Sequence, residues 1–143
     1  MKYIAATSTS RTSGNLPDTS CRWELGAKRP DLFAAVCPVA GHHKIEKTVW
    51  IAQRLMSTSV YCVHDKRDGT CPMAQQEMIW KLFRDNGHPD FDTLLTDGVD
   101  HCQVYENAYC VNESLYHWFS QRTCGMLTGG TVDAGQSLPA RAG

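Results

Sequence analysis

The sequence lacks the features that would mark a membrane, nucleic-acid or disulfide-stapled protein. No apolar run approaches the ~18–20 residues that a membrane-crossing helix needs. The opening MKYIAATSTSRTSG has too brief an apolar stretch for a signal peptide. Acids and bases nearly cancel: net charge is −1 over 143 residues, and the isoelectric point is about 6.6. That balance leaves no electrostatic footprint for nucleic acid or an anionic membrane surface. The cysteines number seven, an odd count without a C-x-x-C pair, and their spacing fits neither a disulfide framework nor a zinc site. They read as small buried hydrophobes of a reducing compartment. The expectation is a cytoplasmic protein with no nucleic-acid or membrane partner. There is no internal repeat.

What is present is a globular composition, 42% hydrophobic, of one-domain length. Residues 1–20 are rich in Ser and Thr and read as a weakly ordered segment with room for one short strand. A helix is expected from about Pro17 to Lys28, with Asp18 or Thr19 as its cap and Cys21 and Leu25 on one face. Gly26 weakens that helix by roughly 1 kcal/mol relative to alanine. The continuous apolar run Leu32 to Val39 fits a parallel strand covered on both faces. Ile45, Val49, Ala52 and Met56 recur at helical spacing. A strand at Ser59 to Val63 follows, then a helix from Pro72 to about Asn86 with a stripe of Ala74, Met78, Ile79, Leu82 and Phe83. Asp92 to Thr96 reads as a strand, and helices are expected around Gln103 to Tyr109 and from Glu113 to Gln121. From Thr123 the composition is that of a flexible tail. Such alternation predicts an α/β fold with a parallel sheet and right-handed crossovers.

The organising stretch is Tyr61 to His101. Asp68 and His101 each lie just past the C-terminal end of an expected strand, the edge where open α/β sheets build their sites. By themselves these residues have plain explanations: Asp68 as a turn former in DGT, and His101 as a surface loop residue. His64 reads as structural, and Trp80, Phe83 and Trp118 as core. The spacing of Cys37, His42 and His43 fits no common metal site, and neither Cys21 nor Cys71 falls where a replacement nucleophile would be needed. No cofactor and no metal are expected.

Three segments, in order, resemble one family. KRPDLFAAVCPVAG (Lys28 to Gly41) is similar to the strand after the nucleophile elbow of α/β-hydrolase esterases. These are the feruloyl-esterase, polyhydroxyalkanoate-depolymerase and phospholipase/carboxylesterase-like enzymes. VHDKRDGTCP (Val63 to Pro72) resembles their F-H-G-x-x-D-x-x-V-P acid loop, with Asp65 where Gly is usual and Cys71 where Val is usual. DHCQVYENAYCVNESLYHWFSQ (Asp100 to Gln121) resembles their terminal histidine block. The resemblance spans roughly residues 11–121. It implies Asp68 as the triad acid, His101 as the triad base, and the C-terminal half of an α/β-hydrolase domain at 21–122. That half would be a parallel sheet of three to four strands flanked by helices, between a poorly ordered segment at 1–20 and a tail at 123–143.

The same resemblance places the elbow at Gly14 to Asp18, where the family needs G-x-S-x-G. That motif occurs nowhere in the sequence. Leu16 stands at the nucleophile position and has no oxygen with which to attack a carbonyl. Pro17 stands where a backbone N–H should face the oxyanion, and proline has none. One such donor is worth roughly 2.7–4 kcal/mol in the transition state. The resemblance thus implies a degenerate or truncated relative of carboxylic-ester hydrolases. Two alternatives stand beside it. One is an active carboxylesterase using Asp68 and His101 with a displaced serine, Ser13 or Ser20. The other is a non-enzymatic interaction subunit. A half-sheet leaves an edge for a protein partner or for self-association, blunted by the polarity of Tyr3 to Ser13.

Overall fold

The structure, a computed structural model, describes residues 3–7, 21–111 and 113–122. The degenerate elbow expected at 14–18, with Leu16, and the flanking Ser13 and Ser20 lie outside the described residues, as does the tail from 123. Four strands form one sheet in chain order: β1 (Tyr3–Thr7), β2 (Phe33–Pro38), β3 (Ser59–Asp65) and β4 (Phe91–Thr96). Every neighbouring pair is parallel. The crossovers carry α1 (Cys21–Lys28), α2 (Thr48–Leu55, entered through a 3-10 turn at Ile45–Lys47) and α3 (Met73–Asp85). After β4 come α4 (His101–Glu106), a π-helical turn (Asn107–Val111) and α5 (Glu113–Ser120). The described residues therefore form an α/β fold, a four-stranded parallel sheet flanked by helices, as the alternating pattern predicts.

Side chains of a strand alternate between faces, and two separate cores result. Val36, Val60 and Cys62 meet Trp23, Ala27, Ile51, Leu55, Ile79 and Phe83 from α1, α2 and α3. Ala35, Cys37, Tyr61 and Val63 meet Val104, Ala108, Leu115, Trp118 and Phe119 from the helices after β4. β3 is buried along its whole length, which is why it reads as an unbroken apolar run rather than an alternating one. Arg122 fastens the second layer. Its guanidinium forks onto Asp90 with two 2.8 Å hydrogen bonds, donates to the Trp118 carbonyl at 2.9 Å and lies 4.1 Å over the Trp118 ring.

Several helix faces are rotated from those expected. In α2 the buried residues are Thr48, Ile51, Ala52 and Leu55, whereas Ile45 and Val49 are exposed. In α3 they are Gln76, Ile79, Trp80 and Phe83, with Met78 exposed. Gln76 is polar yet buried because its amide donates to the Gly41 carbonyl at 2.6 Å. Leu25 of α1 also faces solvent, while Trp23 and Ala27 fill the core. Ala52, Ile79 and Phe83 keep their expected buried places, so the faces of α2 and α3 are turned only in part. The loop expected to hold His101 instead ends at Asp100, so that His101 opens α4.

Gly26 has a packing role that outweighs its helix propensity. A Cβ there would sit 2.8 Å from Val36 Cγ2 and 3.5 Å from Leu55 Cδ2, so the bare backbone lets α1 lie directly on β2. Alanine would gain ~1 kcal/mol of propensity and lose roughly 1–3 kcal/mol to overpacking. Gly26→Ala is therefore expected to lower the urea midpoint with an unchanged slope. A raised midpoint would show that α1 has room to shift.

Candidate active site

β3 ends in Asp65, which is fully buried. Its carboxylate accepts the backbone N–H of Arg67 at 2.8 Å, of Gly98 at 3.3 Å and of Val99 at 3.2 Å, and the Thr96 hydroxyl at 2.7 Å. The first donor belongs to the loop after β3 and the others to the end of β4 and the loop beyond it, so one side chain ties the two loops together. Gly98 takes a φ of +89° at this turn, a conformation glycine adopts without penalty. Burial opposes ionisation of Asp65, but the bonds from Thr96, Arg67, Val99 and Gly98 outweigh it and hold the carboxyl below its ordinary range.

Asp68 lies three residues further on, at 6% exposure. One oxygen, Oδ1, accepts the N–H groups of Thr70 and Cys71, both at 2.8 Å. This closes an Asx-type turn and aims the other oxygen outward. That oxygen, Oδ2, accepts from Nδ1 of His101 at 2.7 Å. Burial pushes the Asp68 carboxyl up, yet the Cys71 amide, the His101 ring and the Thr70 amide together leave it lowered. His64 fixes the loop from beneath by donating Nε2–H to the Cys71 carbonyl at 2.8 Å. Burial lowers the pKa of His64, so it does this work as a neutral ring.

In the tautomer that donates Nδ1–H to Asp68, Nε2 carries the ring's lone pair. The Tyr105 hydroxyl donates to it at 2.8 Å, and the two rings meet edge to face at 5.4 Å. Tyr105 reaches His101 because residues four apart share a helix face. Reading His101 as a loop residue hid this contact. A polar chain Asp68–His101–Tyr105 thus runs across the C-terminal edge of the sheet, with the His101 side chain 16% exposed and that of Asp68 at 0%.

The structure brings Asp68 and His101 into contact and sets beside them Asp65, Cys71 and Tyr105, to which the sequence reading gives no site role. Cys71 Sγ lies within 4.8 Å of ligand atoms of both Asp68 and His101. Cys37 packs in the second core. His43 is buried and bonds Thr48 Oγ1 at 2.9 Å through Nε2, with its pKa pushed down to about 4 by burial and then by His42. No helix among the described residues is long and apolar enough to cross a membrane.

No protein-family model matches the sequence, and comparison with curated proteins finds no match. Among solved structures, the fold is similar to that of a thermostable esterase, with a TM-score of 0.60 and 18% identity. The similarity covers 71% of this chain and 27% of that one, so the chain spans about a quarter of the esterase's length. The likeness is one of fold, and that fold is a portion of an esterase-like α/β architecture.

Asp65→Asn removes the charge that all four donors address, and a stability loss of about 1–3 kcal/mol in chemical denaturation is expected. The pH profile tests the same point. Asp65 and Asp68 both lie below their unfolded values, so their stabilisation is complete above about pH 5 and is lost as pH falls through the folded values. The acid limb of the stability profile should be shallower in Asp65→Asn than in the parent.

Proposed function

We propose that the chain is a degenerate relative of serine esterases, with residues 21–122 as its hydrolase-like unit. It keeps the acid and base of the hydrolytic machinery as Asp68 and His101 and lacks the attacking group. The observation that carries this reading is the 2.7 Å contact between Asp68 Oδ2 and His101 Nδ1 at the C-terminal edge of a parallel sheet. In a working triad the acid orients the imidazole through that nitrogen, and the other nitrogen takes the serine proton. In this chain Nε2 accepts the Tyr105 phenol, while the family's serine position holds Leu16.

Magnitudes decide what silences such a site. Breaking the Tyr105 hydrogen bond to free Nε2 costs only about 0.5–1.5 kcal/mol, at most roughly tenfold in rate. The absent nucleophile and the missing Pro17 amide weigh far more, since a lost oxyanion donor alone is worth ~2.7–4 kcal/mol. Removing Tyr105 is therefore not enough to restore turnover.

Hydrolysis of an activated aryl ester by the parent chain is expected to match that of His101→Ala, and Tyr105→Phe should bring no recovery. Fluorophosphonate should leave no covalent mark. Labelling of Ser13 or Ser20 that disappears in His101→Ala would instead establish a displaced-serine esterase and sink the proposal. Size-exclusion chromatography then separates a silent monomer from an interaction subunit that pairs through the sheet edge.

A further inference from the structure

We propose that Asp68, Cys71 and His101 form a binding site for one borderline-soft divalent cation of the zinc type. Among the described residues, this trio presents a carboxylate oxygen, a sulfur and an imidazole nitrogen that all lie within 4.8 Å of one another. Those are the three donor types zinc takes, and three protein ligands leave a fourth position for water. Bond lengths of about 2.0–2.3 Å place tetrahedral donors ~3.3–3.8 Å apart. The trio therefore needs to close by at most about 1 Å and the 2.7 Å Asp68–His101 contact to open by about 0.6 Å, within the reach of side-chain rotation.

The surroundings suit such a site. Asp68 and Cys71 are buried, at 6% and 3% exposure, and belong to one turn, whose amides bond Asp68 Oδ1 at 2.8 Å. His64 holds that turn through the Cys71 carbonyl. Metal-ligating histidines donate their second ring N–H to an acceptor that fixes the ring, and Tyr105 is already in place for this. On binding, His101 Nδ1 offers its lone pair to the ion and its proton passes to Nε2. The Tyr105 oxygen then changes from donor to acceptor. Cys71 gives its thiol proton to solvent. One carboxylate and one thiolate balance a divalent ion, so no net charge is left buried. Magnesium and calcium demand six or more oxygen donors and do not fit this set.

The site requires no attacking serine, so it stands whether or not the chain hydrolyses esters. The test is competition of the full chain with a chromophoric chelator for Zn²⁺. One ion per chain is expected, unaffected by excess Mg²⁺ and weakening as pH is lowered, because the thiol must lose its proton. Cys71→Val fills the space with an apolar side chain of similar size and is expected to weaken binding by at least about tenfold, as is Tyr105→Phe, which keeps all three ligands. Co²⁺ should give a thiolate charge-transfer band in the near ultraviolet that Cys71→Val abolishes and Cys110→Ser, at an exposed thiol, preserves. Circular dichroism of each variant separates lost ligation from lost folding. Absence of saturable binding by the parent chain overturns the proposal, and so does a cobalt band that survives Cys71→Val.

Discussion

A buried carboxylate without a cation beside it is costly unless hydrogen bonds replace the water it has lost. Asp65 meets that condition with three backbone amides and a hydroxyl, and the arrangement of the C-terminal edge follows from it. Asp65 pairs with Thr96 in the register of β3 against β4, so the bond between their side chains pins the two strand ends level. Asp68 and His101 then leave that common point on short tethers of three and five residues. Their 2.7 Å contact needs little further help. A slip of one residue between the strands would turn Thr96 to the opposite face and carry His101 away from its partner.

Three side chains make this edge particular. Asp65 stands where the resembled esterase loop has glycine, and its carboxylate supplies the cross-loop anchor a glycine cannot. Cys71 stands where that loop has valine, which brings a sulfur beside the acid and base. Tyr105 puts a phenol on the imidazole nitrogen that serine faces in a working triad. These three side chains give the edge its particular hydrogen bonding and its sulfur, above a sheet of parallel strands.

The strands were legible because a parallel strand covered on both sides is an apolar run bounded by turn residues, and Phe33–Pro38 and Ser59–Asp65 are both of that kind. Asp68 and His101 were legible as a pair only through the resemblance, since nothing local distinguishes Asp68 from an ordinary turn former. The helix faces were less legible. Thr48 and Gln76 are polar and buried, and Val49 and Met78 apolar and exposed, so hydrophobicity alone misassigns part of each stripe, although Ala52, Ile79 and Phe83 are buried as expected. The hydrogen bonds that make Gln76 and His43 welcome inside run to Gly41 and Thr48, contacts that exist only once the chain has folded. The role of Asp65 was hidden for the same reason, because its partners lie more than thirty positions away in Gly98 and Val99.

The two cores draw on different parts of the chain. The layer of α1, α2 and α3 draws its last fully buried side chain from Phe83, and only Phe91 of β4 packs against it from later in the chain. The opposite side draws on Val104 through Phe119 and on Arg122, which forks onto Asp90. Without those residues Cys37, Tyr61 and Val63 would have no helical cover, so the second core depends on roughly the last twenty described positions.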